Sequence, residues 1–346
     1  ILKGTITSDV TLAAGNTYKL SGEYIVEEGG TLHIEEGVKI IAVYDDIADY
    51  ILVKQGGKIN AVGTPDKPIV MTSEKEEPGA WGGIHICGRA HTNAEGGKGS
   101  SEIGGAVYGG NDDADNSGTL QYIRLEYTGF AFDEEHEANG ISFYSVGNGT
   151  IVDHCQAYKG SDDGFEFFGG SVNVSNLVAV SCSDDSFDWT EGWNGKGTNL
   201  VAYQEAESTL GYDCDCLMEC DNNGSNNAAT PVAHPVLKNL ILVGNGGSQQ
   251  GIRLRAGTEV EIDNAKVCGK GQPLTVETAL TENALKNGTS KLTNITLTSE
   301  LSSKEGIYTH ADFIAVTSNK VDANLSYSSF EDIRKECSWM NGSWVK

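Results

Sequence analysis

The sequence is poor in basic residues and in long apolar runs. It has 24 Lys and Arg against 49 Asp and Glu, a formal net charge of −25, which argues against nucleic acid or an anionic membrane as partner. No apolar run approaches the roughly 18 to 20 residues of a membrane span, so no transmembrane segment is predicted. P-loop, G-x-S-x-G and H-E-x-x-H motifs are also missing, which removes NTPase, triad-hydrolase and zincin chemistry.

Glycine, by contrast, is abundant. The chain has 44 Gly and only 6 Pro, a combination typical of tight turns between short strands and unfavourable for long helices. A helical pattern is confined to residues 280–286. An all-β fold is therefore predicted.

The middle of the chain contains a repeat. SDDGFEFFGG at residues 161–170 and SDDSFDWTEG at 183–192 align at an offset of 22 residues. The matching inward positions are Ile141, Phe165, Phe187, Tyr212 and Ile252. A second strand per period is predicted at 120–127, 150–157, 172–180, 198–203, 236–243 and 259–267. Periods of roughly 20 to 25 residues with short strands and no helix indicate a parallel β-solenoid, whose coils bury their inward side chains against each other.

The repeat and its interruptions predict the domain organisation. We expect one domain over residues 1–346, with capping strands and the first coil at 1–40. Polar or glycine-rich stretches at 88–118 and 221–235 are predicted as loop insertions, and 290–346 as irregular coils with a cap.

Several segments also resemble a known group of proteins. The run TLHIEEGVKI…ILVKQGGKINAVGTPDKPIVMTS…WGGIHI, with SDDGFEFFGG and SDDSFDW, resembles secreted and surface β-helix proteins of the pectate-lyase-like superfamily from Bacteroidetes-type bacteria. The resemblance covers most of residues 25–260. It implies a right-handed, single-stranded parallel β-helix with coils of about 22–25 residues. It also implies an extracellular or outer-membrane location, with a leader or lipid anchor preceding Ile1.

Strand alternation predicts which side chains face outwards. The outward row is predicted to contain Ser142, Glu166, Asp188, Asp213 and Arg253, with His85 at its start. Neighbours in such a row lie about 4.8 Å apart. Adjacent carboxylates at that spacing need a cation, a shared proton or solvent to offset their repulsion.

The turns before these strands add more carboxylates. The candidate metal ligands are Asp162, Asp163, Asp184, Asp185 and Asp188. Stacked carboxylates and turn carbonyls supply the oxygen ligands that Ca²⁺ takes. The pattern resembles the calcium sites of family 9 pectate lyases, which assigns Asp163, Asp184, Asp185 and Asp188 to the metal. Acidic turns that cap backbone amides without any ion are the alternative.

Catalysis would need further residues. In a lyase of this kind the metal acidifies a proton beside a uronate carboxyl group, and a Lys or Arg removes it. Arg253 and Lys196 are the preferred base candidates, with Lys238 and Arg255 as others. The predicted glycan contacts are Trp193, Glu166, Asp213 and Arg255. For Trp193, core packing is the alternative.

Two further patterns are typical of metal sites but have simpler structural explanations. Asp113, Asp115 and the following Ser-Gly fit the first half of a calcium loop, but Arg124 stands where its last acidic ligand is expected, so a solvated loop is favoured. Cys214 and Cys216 are predicted to lie inside a strand as small apolar residues rather than in a zinc site.

These observations favour a non-enzymatic, exported surface protein. It would contact a polysaccharide or host-surface glycan, carry structural Ca²⁺ and act as a monomer. The alternative is a calcium-dependent polysaccharide lyase that cleaves an acidic glycan by β-elimination. The net charge of −25 disfavours attraction of a polyanion, which is why the first function is preferred.

Overall fold

The computed structural model describes residues 1–45, 47–133, 136–247 and 249–346. These residues form the predicted right-handed parallel β-helix. Its strands are β1 (Leu2–Ile6), β2 (Val10–Leu12), β3 (Thr17–Val26), β4 (Thr31–Ile34), β5 (Lys39–Ala42), β6 (Tyr50–Val53), β7 (Lys58–Val62), β8 (Ile69–Ser73), β9 (Ile84–Cys87), β10 (Gly99–Ser100), β11 (Val107–Tyr108), β12 (Gly118–Glu126), β13 (Ile141–Tyr144), β14 (Ile151–Tyr158), β15 (Phe165–Phe168), β16 (Asn173–Val180), β17 (Phe187–Thr190), β18 (Lys196–Tyr203), β19 (Met218–Asp221), β20 (Val236–Val243), β21 (Gln250–Arg255), β22 (Glu261–Cys268), β23 (Gln272–Val276), β24 (Lys291–Leu297), β25 (Ser302–Ser303) and β26 (Lys320–Val321).

Two rows of strands run along the solenoid. The front sheet contains β6, β9, β13, β15, β17, β19, β21, β23 and β25, paired in that order. The back sheet starts with β7 and β8, which both pair with β12, and continues through β14, β16, β18, β20, β22, β24 and β26. Every pairing in the two rows is parallel, so side chains at equivalent positions stack directly from coil to coil.

Each long back-sheet strand bends at one residue with a left-handed backbone. The bend residues are Tyr122, His154, Asn176, Asn199, Asn239, Asn264 and Asn294, with φ between 51° and 64°. Asparagine tolerates this conformation better than most residues. Its amides also form a ladder, in which the Nδ2 of Asn199 donates to Oδ1 of Asn176 at 2.8 Å and Asn239 donates to Asn199 at 3.0 Å.

The interior is continuous and rich in aromatic rings. One cluster of buried apolar side chains extends from Leu2 to Phe313. Within it the rings of Phe143 and Phe167 stack with centroids 5.0 Å apart. This stacking follows directly from the parallel register, because equivalent inward positions repeat in every coil.

Helices are few and short among the described residues. They are α1 (Glu207–Leu210), α2 (Ala279–Lys286), α3 (His310–Ala315) and α4 (Phe330–Glu336), with 3₁₀ turns at Glu95–Gly97 and Ser338–Met340. Helix α2 confirms the helical pattern predicted at 280–286. No helix in the described ranges is long and apolar enough to cross a membrane.

The strand predicted around Tyr212 is wrong. Helix α1 and an irregular connection occupy this coil, and the next front-sheet strand is β19, where Glu219 pairs with Asp188. Tyr212 instead donates its hydroxyl group to the carbonyl of Ser181 at 2.8 Å. The GYDCD segment alternates like a strand, but the inserted helix delays strand pairing to the later MECD segment.

The outer faces of both sheets are partly covered. The 88–118 loop contains the antiparallel β10–β11 hairpin and buries Ile103 and Tyr108 against the front sheet. The segment 325–346, which includes α4, lies across the back sheet and buries Met340 and Trp344 there. These two segments therefore shield part of the apolar surface on the outside of the solenoid.

Replacing Trp344 with alanine should destabilise the fold. The side chain is fully buried and its ring packs against His154 at 5.2 Å and Tyr122 at 6.0 Å. We expect a loss of roughly 3 to 5 kcal/mol in the free energy of unfolding, measured by chemical denaturation. The control is Ser338→Ala, at an exposed position of the same segment. Equal stability of the two variants would show that the segment does not shield the sheet.

Candidate functional site

The outward side chains of the front sheet form one row, in register from coil to coil. Its members are His85, Ser142, Glu166, Asp188, Glu219, Arg253 and Thr275. His85, Ser142, Glu166, Asp188 and Arg253 occupy the positions predicted for them. The position predicted for Asp213 belongs to Glu219.

Asp213 lies outside this row because its segment does not form a strand. It is in the connection between α1 and β19, where its Oδ1 accepts hydrogen bonds from the Asn245 side chain at 3.0 Å and the Cys214 amide at 2.9 Å. Asp213 is thus held in a turn and does not join the row as a glycan contact. Cys214 is buried, as predicted, but in this turn rather than in a strand.

The acidic turns before β15 and β17 stack on each other. Oδ1 of Asp163 accepts the amide of Asp185 at 2.8 Å, and Oδ1 of Asp185 accepts the amide of Cys216 at 2.7 Å. Turn capping, the alternative to a metal site, therefore accounts for one oxygen of each of these carboxylates. It leaves the close approach of the remaining acidic groups unexplained.

The turns and the row together form an acidic cluster. Its members are Asp162, Asp163, Glu166, Asp184, Asp185, Asp188 and Glu219. They lie in three overlapping triplets, each offering oxygen atoms that are all within 4.8 Å of one another: Asp162, Asp163 and Asp184; Asp163, Glu166 and Asp188; and Asp185, Asp188 and Glu219. All five ligands predicted from the sequence are members, and Glu166 and Glu219 join them. A metal ion could be held by these groups.

Burial makes the cluster electrostatically unfavourable when it is ionised. Loss of hydration is the largest cause and raises the pKa of every member; repulsion between neighbouring carboxylates adds to it, while at Glu219 attraction to Arg255 opposes it. The pKa of Asp162 rises to about 8. The pKa values of four other members rise well above their ordinary values: Asp163, Glu166, Asp185 and Asp188. The cluster therefore needs protons or a cation.

The two arginines beside the cluster are already paired. Nη1 of Arg253 lies 2.9 Å from Glu219 and its Nε 3.2 Å from Glu277. Arg255 binds Asp221 at 2.7 Å and also Glu219. Burial opposes the charge of both guanidiniums, but the hydrogen bonds to carboxylates outweigh it and raise both pKa values above that of ordinary arginine. They act as counter-ions for one end of the cluster.

Comparison with known proteins shows the family. Residues 4–345 match the pectate-lyase like beta helix domain. The chain belongs to this family. No curated protein and no solved structure is significantly similar to it. The matched range contains both sheets and the acidic cluster, so the cluster is built within the family's domain.

In this pectate-lyase-like β-helix the base candidates are poorly placed for proton transfer. Lys196 is the first residue of β18 in the back sheet, where its side chain is exposed. Asp188 lies in the front sheet, so the two residues are on different sheets. Arg253 and Arg255 are beside the cluster, but their nitrogens are held by carboxylates. A guanidinium stabilised in this way does not take up a proton. The same ion pairs occupy the guanidinium of Arg255, which was predicted to contact a glycan.

Trp193 is buried, contrary to the prediction that it is exposed. It is 1% exposed, stacks on Phe167 with centroids 4.2 Å apart and donates its Nε1 hydrogen to the carbonyl of Val172 at 3.1 Å. The turn after β17 folds this ring back into the core, where a large apolar surface is removed from water. The alternative of core packing is correct, and no sugar can stack on this ring.

Two polar residues that were not predicted as site residues, Asn139 and Glu102, lie near Glu166. Asn139 donates its Nδ2 hydrogen to Glu166 at 2.6 Å, and Glu102, on the 88–118 loop, lies close enough to raise the pKa of Glu166. Burial also raises the pKa of Glu102, to about 7. Glu102 lies outside the repeat, so periodicity gives no signal for it, whereas Asn139 occupies the repeat position of Asp163 and Asp185. Glu219 has a sequence signal of its own, since it lies in the MECD segment, in which apolar and acidic residues alternate.

The loop around Asp113 and Asp115, considered above as half of a calcium loop, uses its side chains to bind itself. Oδ1 of Asp113 lies 2.7 Å from Nδ1 of His91, while Asp115 accepts a hydrogen bond from Ser117 at 3.4 Å. The two carboxylates thus hold parts of the loop itself. This arrangement favours the solvated-loop interpretation.

Without added cations, stability should fall as the pH rises. The pKa of Asp162 is about 8 in the folded protein and 3.8 in its unperturbed state. Its stabilising contribution is therefore complete below about pH 4 and is lost as the pH rises through about 8. We expect the free energy of unfolding, measured in chelator, to decrease between about pH 5 and 9, and less steeply in Asp162→Asn. The control Glu300→Gln, at an exposed site, should keep the wild-type slope. A flat profile in the wild type would contradict this expectation.

Proposed function

We propose that the chain is a non-enzymatic, glycan-associated β-helix protein of the cell surface or extracellular medium, with structural Ca²⁺ bound by the acidic cluster. The observation that carries this proposal is the engagement of Arg253 and Arg255 in ion pairs beside the cluster. The cluster has the ligands of a cation site, while its neighbouring basic groups serve as counter-ions rather than bases.

The donor set of the cluster suits a hard cation. All its members offer carboxylate oxygens, which Ca²⁺ prefers and can bind in flexible geometries. Oδ1 of Asp188 is buried and receives no hydrogen bond from the described residues, which leaves it as a candidate ligand. The ligands would be Asp163, Glu166 and Asp188, with the buried Asp162 and the exposed Asp184 beside them. When bound, the ion would supply positive charge that offsets the repulsion among these carboxylates.

The glycan part of the proposal rests on family membership and on the two insertions. The 88–118 and 221–235 loops meet beside the end of β17. The Asn93 side chain donates to Oδ1 of Asn222 at 2.8 Å and to the Pro231 carbonyl at 3.0 Å. The side-chain Nδ2 of Asn223 donates to Oδ1 of Asn93 at 3.0 Å. The loops thus form one continuous surface, which we propose as the glycan-contacting region.

Calcium binding tests the site directly. Titration of the chelator-treated protein with CaCl₂ in a calorimeter should show saturable binding. Asp188→Asn should weaken it by about tenfold or more, because the substitution removes a charged ligand. The matched control is Asp213→Asn, an acidic residue of the neighbouring turn that lies outside the cluster; its binding should equal that of the wild type. If the wild type binds no calcium, the carboxyl groups of the cluster are protonated and only cap the turns.

An activity assay tests the non-enzymatic part. With calcium present, we expect no ultraviolet-absorbing unsaturated product from pectate, alginate or glycosaminoglycans. In gels containing polysaccharide, we expect neutral glycans to retard the protein more than acidic ones, since its net charge of −25 repels polyanions. Formation of unsaturated product that disappears in Arg253→Gln would instead establish the lyase predicted as the alternative.

A further inference from the structure

We infer that the front sheet binds two divalent cations that share the carboxylate of Asp188; this inference rests on the proposed cation site. Two of the triplets have Asp188 in common. In one it lies with Asp163 and Glu166, and in the other with Asp185 and Glu219, and in both the oxygens lie within 4.8 Å of one another. If each triplet holds one ion, the carboxylate of Asp188 bridges the two ions.

The stacking of the strands gives Asp188 this central position. It pairs with Glu166 on the preceding coil and with Glu219 on the following one. Coils are separated by about 4.8 Å, the spacing of strands in a sheet. Two-metal sites place their ions about 3.5–4 Å apart, close to one coil spacing. A carboxylate has two oxygens, so Asp188 can face one ion on each side.

Hydrogen bonding leaves Asp188 as the least satisfied member. Oδ1 of Asp188 is buried and has no donor among the described residues. Its neighbours are each partly satisfied: Glu166 accepts from Asn139, and Asp163 and Asp185 each accept a backbone amide. A buried carboxylate oxygen without a donor is costly, and a bound cation removes that cost.

Two divalent cations also match the formal charge of the two triplets. Glu219 is paired with Arg253 and Arg255, which it shares with Glu277 and Asp221. The other members of the two triplets are Asp163, Glu166, Asp185 and Asp188, with a formal charge of −4 when ionised. One divalent cation offsets half of this charge, and two offset all of it.

The remaining groupings suit these ions less well. The triplet of Asp162, Asp163 and Asp184 includes the exposed Asp184, where water competes with the carboxylate for the ion. The grouping of Asp185, Asp215 and Cys216 includes a thiol, a soft ligand that Ca²⁺ does not favour. We therefore assign two ions and no more.

The experiment counts ions per chain. The chelator-treated full chain is titrated with CaCl₂ in a calorimeter, and bound calcium is counted independently by elemental analysis after desalting. We expect two ions for the wild type. Glu166→Gln and Glu219→Gln should each retain one, while Asp188→Asn should weaken both by about tenfold or more. Asp213→Asn should retain two, and circular dichroism shows that each variant is folded.

The outcomes separate this inference from the proposed function. Two ions that both depend on Asp188 support it. A single ion in the wild type overturns the inference but leaves the proposed cation site intact, whereas no ion overturns both. More than two ions, or two that persist in a folded Asp188→Asn, overturn the sharing of this carboxylate.

Discussion

In-register parallel stacking is the constraint on which the rest of the structure depends. Each coil places its outward and inward side chains directly over those of the coil before, about 4.8 Å apart. Inside, this repetition builds stacks such as Phe143 on Phe167. Outside, it brings Glu166, Asp188 and Glu219 into one row, although no pair of them attracts. The same geometry therefore creates the core and the electrostatic problem of the front sheet.

The two ladders of the solenoid resolve this repetition in different ways. On the back sheet, asparagine amides have both a donor and an acceptor, so Asn176, Asn199 and Asn239 satisfy each other in succession. Ionised carboxylates are acceptors only, so a stack of them cannot do this. At one end of the front sheet arginines neutralise the row; further along it, the carboxylates depend on protons or on an external cation.

Much of the fold and part of the site follow from the sequence alone. The SDD repeat fixes the register of β15 and β17, and alternation then places Glu166 and Asp188 outside, as the structure has them. The register fails at Tyr212, because an inserted helix lengthens the coil without disturbing the local alternation. Trp193 shows a different limit: periodicity describes strands, whereas this ring is positioned by the turn that follows one. Glu102 comes from the 88–118 loop, whose docking depends on tertiary contacts.

The segment 325–346 ties together coils that are distant in the sequence. The amide of Ser343 donates to the Pro65 carbonyl at 2.8 Å, and the amide of Lys346 donates to Gln156 at 2.8 Å, across 190 residues. A solenoid whose coils touch only their neighbours can fray one coil at a time. Here the segment 325–346 contacts several coils at once, so the coils between these contacts cannot separate one at a time while it is attached. During synthesis, the back sheet keeps an uncovered apolar face until this segment has emerged, so residues 325–346 complete the shielding of coils formed much earlier.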